Sequence, residues 1–160
     1  AVNKDNIENI LNEIVALDIG DNVKMSLKSI EEIRDEAEYP GLRASIQTEF
    51  DGITNMLKLD MTTGDTIVPK EITYEFKLMF EDRILKVKAY SIETVLAEKI
   101  ETVITRSTAN TCMRDYYDVY ILSKLRNSEI NYNLLKVALK ATSEKRGSFE
   151  VLKKYNNILH

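Results

Sequence analysis

The chain changes its hydrophobic period after Gly20, from helical spacing to alternation, and again after Tyr90, back to three or four. Ile7, Ile10, Leu11, Ile14 and Leu17 recur at helical spacing behind Asn3 or Asp5, either of which can cap a first turn, and Gly20 closes the predicted helix. Val23, Met25 and Leu27 then alternate as a strand does. The acidic stretch from Glu31 to Glu38 reads as a loop or short helical turn, closed by Pro40-Gly41. Between Leu42 and Met61, Asp51-Gly52 supplies the backbone freedom that a two-residue hairpin turn demands. Pairing Phe50 with Ile53 sets Ile46 against Leu57, Ala44 against Leu59 and Leu42 against Met61. The apolar side chains then share one face, and Arg43, Ser45, Gln47, Lys58 and Asp60 share the other.

A second hairpin is predicted around Glu81-Asp82, with Leu78 facing Leu85, Phe76 facing Val87 and Tyr74 facing Ala89. Beyond Tyr90 a spacing of three or four predicts helices over residues 91–107, 113–124, 132–143 and 149–158. The expected class is α+β: an N-terminal helix, an antiparallel or mixed sheet, then a C-terminal helical bundle. Residues 1–90 form the strand-bearing part and residues 91–160 a helical subdomain packed on it.

Composition narrows the chemistry. With one cysteine, Cys112, and one histidine, His160, the chain lacks the partners for a disulfide, a cysteine-rich zinc site or a serine-histidine triad. Carboxylates, lysine and arginine remain as the chemical groups. A formal net charge of -4 argues against a surface that attracts nucleic acid all over, though not against a local basic cleft. No apolar run approaches the roughly 20 residues needed to span a bilayer, so a soluble cytoplasmic protein is expected. Because a helical pattern begins almost at Ala1, the natural chain is expected to start further upstream.

Several charges stand where burial requires apolar residues. On the helix after Ser91, Ile92, Val95, Leu96, Ile100 and Val103 form one stripe, with Lys99 in its middle and Arg106 near it. On the next helix Ile121, Leu122 and Leu125 define the inner face; Asp118 sits between them and Asp115 on the flank. Two readings follow. Either an interhelical ion-pair cluster fixes the packing, or the cations meet polyphosphate in a cleft while an aspartate orients the nucleophile or holds Lys99. Asp60, opposite Arg43 in the hairpin, is either a cross-strand ion pair or a metal ligand. Gly64-Asp65 reads as a plain turn before a phosphate loop, and Tyr116, Tyr117 and Tyr120 as helix packing before a base-stacking platform.

Taken in order, these segments resemble the AbiEii nucleotidyltransferase family, a minimal DNA-polymerase-β-type fold with a C-terminal helical domain. The resemblance runs from the first helix through Glu38-Tyr39-Pro40-Gly41-Leu42-Arg43, Leu57-Lys58-Leu59-Asp60 with Thr63-Gly64-Asp65, and Leu78-Met79-Phe80-Glu81-Asp82-Arg83. It continues through Val95-Leu96-Ala97-Glu98-Lys99 to Arg114-Asp115-Tyr116-Tyr117-Asp118. It implies that Lys99 and Asp115 belong to an active site, with Asp118 the more central aspartate on the helical wheel. Arg106, Arg114, Arg43 and Lys58 would bind substrate and Asp60 would complete a Mg²⁺ site. It further implies transfer of a nucleotidyl group from an NTP to an acceptor such as tRNA, by the toxin of a phage-defence pair with a separate antitoxin. The family's Gly-Ser turn followed by D-x-D or D-x-E is missing, so this chain alone is expected to be inactive. A non-catalytic interaction module is the alternative.

Overall fold

The computed structural model describes residues 3–33, 41–62, 64, 66–106 and 113–155. In chain order the elements are α1 (Lys4–Val15), β1 (Lys24–Ile33), β2 (Gly41–Phe50), β3 (Ile53–Met61), β4 (Ile72–Lys77), β5 (Ile84–Ala89), α2 (Ile92–Arg106), α3 (Met113–Leu125), α4 (Tyr132–Lys145) and α5 (Phe149–Lys153). This is the α+β class, with antiparallel strands between an N-terminal helix and a run of C-terminal helices. The chain forms two compact units, Ala1–Gly64 and Asp65–His160.

In the first unit Asn3 is the cap of α1, its Oδ1 accepting from the Asp5 amide at 3.1 Å. The helix stops at Val15, short of Gly20, because Asp18 and Asp21 offer the backbone another partner. Their carboxylates accept from the Gly20 and Val23 amides at 2.9 and 3.0 Å, closing local turns that compete with helix. The hairpin of β2 and β3 has the register read from the sequence, from Phe50 opposite Ile53 to Leu42 opposite Met61. Asp51 and Gly52 both lie at positive φ, 47° and 77°, as the primed turn demands.

The strand β1 extends through Glu31–Ile33, which the sequence reading placed in a loop or helical turn; residues 34–40 lie outside the described residues. What the alternation concealed is a bulge between Leu27 and Ser29 that rephases the strand. Leu27 and Ile30, three apart, thereby both join the core beneath α1. Leu11 of α1 is buried there with Ile30, Leu42, Ala44 and Ile46. Gly41 is needed where β1 ends, since a Cβ there would come within 3.0 Å of both Ile33 Cγ1 and the Met61 carbonyl. The apolar face is only partly covered, and Leu57 and Leu59 of β3 stay exposed.

In the second unit, β4 and β5 pair two residues away from the expected register: Phe76 faces Leu85, Tyr74 faces Val87 and Ile72 faces Ala89. No glycine is present to make a two-residue turn at Glu81-Asp82, so the chain takes a wider one, closed by the Leu78 amide on the Arg83 carbonyl at 3.2 Å. A slip of two preserves which side chains share a face. The helices gather around Leu96, Ala97, Ile130, Leu135, Ala138 and Leu139, with Leu122 of α3 and Leu152 of α5 against that cluster.

The buried face of α2 matches the wheel's stripe only in part. Leu96 is buried as the stripe requires, but so are Glu93, Thr94, Ala97 and Glu101, whereas Ile92, Val95, Ile100 and Val103 are half-buried. The carboxylates are tolerated because donors meet them. Glu93 accepts from the amide of Asn131, the cap of α4, at 2.9 Å. Glu101, 4% exposed, accepts from Ser148 Oγ and Arg146 Nη1, each at 2.7 Å. An acidic side chain met by two such donors locks α2 to the end of α4 and the start of α5.

Two substitutions test these packing assignments by chemical denaturation. Leu11→Ala is expected to destabilise the protein by about 2–4 kcal/mol, while Ile10→Ser, on the exposed side of α1, stays within about 0.5 kcal/mol. Equal costs would contradict the orientation of α1. Glu101→Ala is expected to cost about 1–3 kcal/mol through the donors it orphans; a neutral result would mean that Arg146 and Ser148 do not depend on it.

Candidate functional site

Lys99 projects from α2 toward α3, where Asp115 and Asp118 stand three residues apart and hence on one helical face. Lys99 Nζ lies 2.6 Å from Asp118 Oδ2 and 3.4 Å from Asp115 Oδ1. The three side chains are partly buried, at 25%, 18% and 24% exposure for Lys99, Asp115 and Asp118. Arg114 is 85% exposed and sets its Nε 4.0 Å from Asp118 Oδ2. Of the two cations that the helical wheel turned inward, Lys99 meets the carboxylates, and both aspartates take part.

Partial burial pulls the Lys99 pKa down. The hydrogen bond and charge of Asp118, followed by those of Asp115, outweigh it and hold the ammonium above its ordinary range. Since the folded value lies above the unfolded one, the stabilisation is complete below the ordinary lysine pKa and fades as pH rises through the folded value. Lys99 is therefore a fixed positive charge at neutral pH. Chemically the cluster offers that charge, a carboxylate bound tightly to it, and a second carboxylate bound loosely.

The other residues singled out from the sequence fall in different places. Arg106 is exposed at the C-terminal end of α2 and, among the described residues, forms no ion pair with the cluster. The polar loop from Thr108 to Thr111 lies outside the described residues, as do Thr63 and Asp65 beside Gly64. Tyr117 and Tyr120 are 60% and 58% exposed, so they are not packed between helices as expected; among the described residues α3 lies chiefly against α2. Lys124 Nζ sits 5.3 Å from the centre of the Tyr120 ring and donates to its hydroxyl at 3.0 Å.

In the first unit, Arg43 grips Asp60 with both arms, Nε to Oδ1 at 2.6 Å and Nη2 to Oδ2 at 2.8 Å. That bond and the charge of Asp60 raise the Arg43 pKa further. Lys58 is exposed on the same face, opposite Ser45. A divalent ion needs several oxygen ligands. Among the described residues no three acidic, histidine or cysteine side chains gather as such a set, and both Asp60 oxygens are already engaged. The described residues do not by themselves fit a metal site.

Sequence reasoning missed two features of the second unit. One is the buried pair of carboxylates, Glu93 and Glu101, which no periodicity marks because a polar residue at a buried position breaks the pattern. The other is an apolar hollow of about 320 Å³ with Leu96, Ile100, Val103, Val119, Ile130 and Leu135 among its walls. Ile100 and Val119 directly follow Lys99 and Asp118 in the chain, so the hollow and the charged cluster are framed by the same two helices.

Among the described residues no helix is long and apolar enough to cross a membrane. No curated protein matches the chain, and no solved structure does. The family model described as nucleotidyl transferase AbiEii toxin, Type IV TA system, matches residues 2–158. With nearly its whole length matched, the chain belongs to the AbiEii family of nucleotidyl transferase toxins of type IV toxin-antitoxin systems.

Proposed function

We propose that the protein transfers a nucleotidyl group from an NTP to an RNA acceptor such as tRNA, in the cytoplasm, as the toxin of a phage-defence pair held in check by an antitoxin protein. The observation that carries this reading is the half-buried Lys99 held between Asp115 and Asp118 across α2 and α3, in a chain of this family. In the reaction the acceptor oxygen bonds to the α-phosphorus as the bond to the β-phosphate breaks, and pyrophosphate leaves. Lys99 neutralises charge on the triphosphate, and the aspartates orient Lys99 and the acceptor hydroxyl. Arg114 and Arg106 add positive charge from α3 and α2. Residues 1–90 supply an incomplete nucleotidyltransferase core of helix and strands, and residues 91–160 a helical subdomain.

Nucleotidyltransferases of this kind generally use a divalent metal, Mg²⁺ in this proposal. Asp60 is spoken for by Arg43, and the 160 residues contain no D-x-D or D-x-E. We therefore assign no step to the ion and expect the 160 residues alone to be inactive. A second reading also has an observation in its favour: the close Lys99–Asp118 pair is what an interaction module would need to fasten α3 to α2.

Labelling of RNA from labelled NTP, with Mg²⁺ and the protein at its full natural length, separates the two. Lys99→Ala is expected to lower labelling by about 100-fold or more, the usual effect of removing one preorganised group from a transition state. Equal labelling by the variant and the parent would take Lys99 out of the mechanism and leave the cluster a fastener.

A further inference from the structure

The cluster sets two carboxylates on one ammonium, and the two are not equivalent. Asp118 Oδ2 lies 2.6 Å from Lys99 Nζ, a close ion pair, while Asp115 Oδ1 accepts a long hydrogen bond from the same ammonium at 3.4 Å. The same Oδ2 of Asp118 also faces Arg114 Nε at 4.0 Å. Asp118 thus commits its charge to two cations, while Asp115 shares one of them at long range. An oxygen so neutralised is a poor acceptor for an incoming hydroxyl, and Asp115 is the freer of the two.

Lysine carries its charge on a flexible four-carbon stem with three rotatable donors, so a lysine meant to meet a phosphate needs something to aim it. The close ion pair with Asp118 holds the ammonium against α3. Asp115, reaching the same ammonium from an adjacent turn of α3, is close enough to bring a hydroxyl bound to it near the phosphates that Lys99 would hold.

We infer that Asp118 is a positioning residue that aims the Lys99 ammonium, and that Asp115 is the carboxylate left to bind the acceptor hydroxyl. This division rests on the nucleotidyl-transfer reading above and assigns separate roles within it. A fastening role alone would give Asp118 no special dependence on Lys99 during turnover.

The test compares Asp118→Asn and Asp115→Asn, each alone and combined with Lys99→Ala, in the full-length protein. Asparagine keeps the shape and one acceptor oxygen while removing the charge. Asp118→Asn is expected to lower kcat/KM for NTP by about tenfold, a typical coupling between contacting residues, and to have no further effect once Lys99 is alanine. Asp115→Asn is expected to lower it again in the Lys99→Ala background. A loss from Asp118→Asn that is equally large without Lys99 overturns the assignment.

A second readout does not depend on turnover: the Lys99 pKa followed by ¹³Cε chemical shift. Asp118→Asn should lower it more than Asp115→Asn does, and the reverse order also overturns the assignment. If no variant and no parent labels RNA, the transfer reading fails, while the titration still decides which aspartate aims Lys99.

Discussion

A lysine drawn partly out of water must find carboxylates, and in this protein that requirement ties α3 to α2 through Lys99, Asp115 and Asp118. Among the described residues α3 has no fully buried side chain, so little else specifies its rotation. The apolar contact of Leu122 with the helical core sets the helix down, and the charges choose which face it presents. On its far side α2 is tied a second way, by Glu93 and Glu101, which satisfy the amide of Asn131, Ser148 and Arg146. One helix thus carries polar attachments on two sides. The outcome is a lysine whose position is set by neighbours rather than by its own flexible stem.

Burial treats the two sets of charges differently. Glu101 is almost fully enclosed and its oxygens are occupied by donors from the same unit, so it has nothing left to offer a ligand. Lys99, Asp115 and Asp118 remain about one-fifth to one-quarter exposed, enough to meet solvent or substrate while keeping a lower local dielectric than open water. That contrast is the physical ground for reading one set as structural and the other as chemical. The Arg43 and Asp60 pair on the hairpin is more exposed than either and bonds in the two-pronged geometry that arginine favours.

What the sequence made legible was what depends on local periodicity. The hairpin of β2 and β3 was readable to the residue because Asp51-Gly52 admits one tight turn and every other pairing follows from it. The Lys99 cluster was readable because a charge inside an apolar stripe has to be answered from a neighbouring helix. The β4 and β5 register was not, since a turn without glycine does not fix its own length. The bulge after Leu27 was hidden because alternation has no mark for an inserted residue. The burial of Glu93 and Glu101 on α2 was hidden because both look like surface residues until Asn131 and Ser148, far along the chain, are brought to them.

The central claim is that the ammonium held by Asp115 and Asp118 faces a triphosphate. The most direct measurement is a crystal structure of the full-length protein with a non-hydrolysable NTP and Mg²⁺. The account predicts a phosphate oxygen about 3 Å from Lys99 Nζ, with Asp118 still bonded to it. A triphosphate bound elsewhere, with Lys99 still shared by its two aspartates alone, would contradict it.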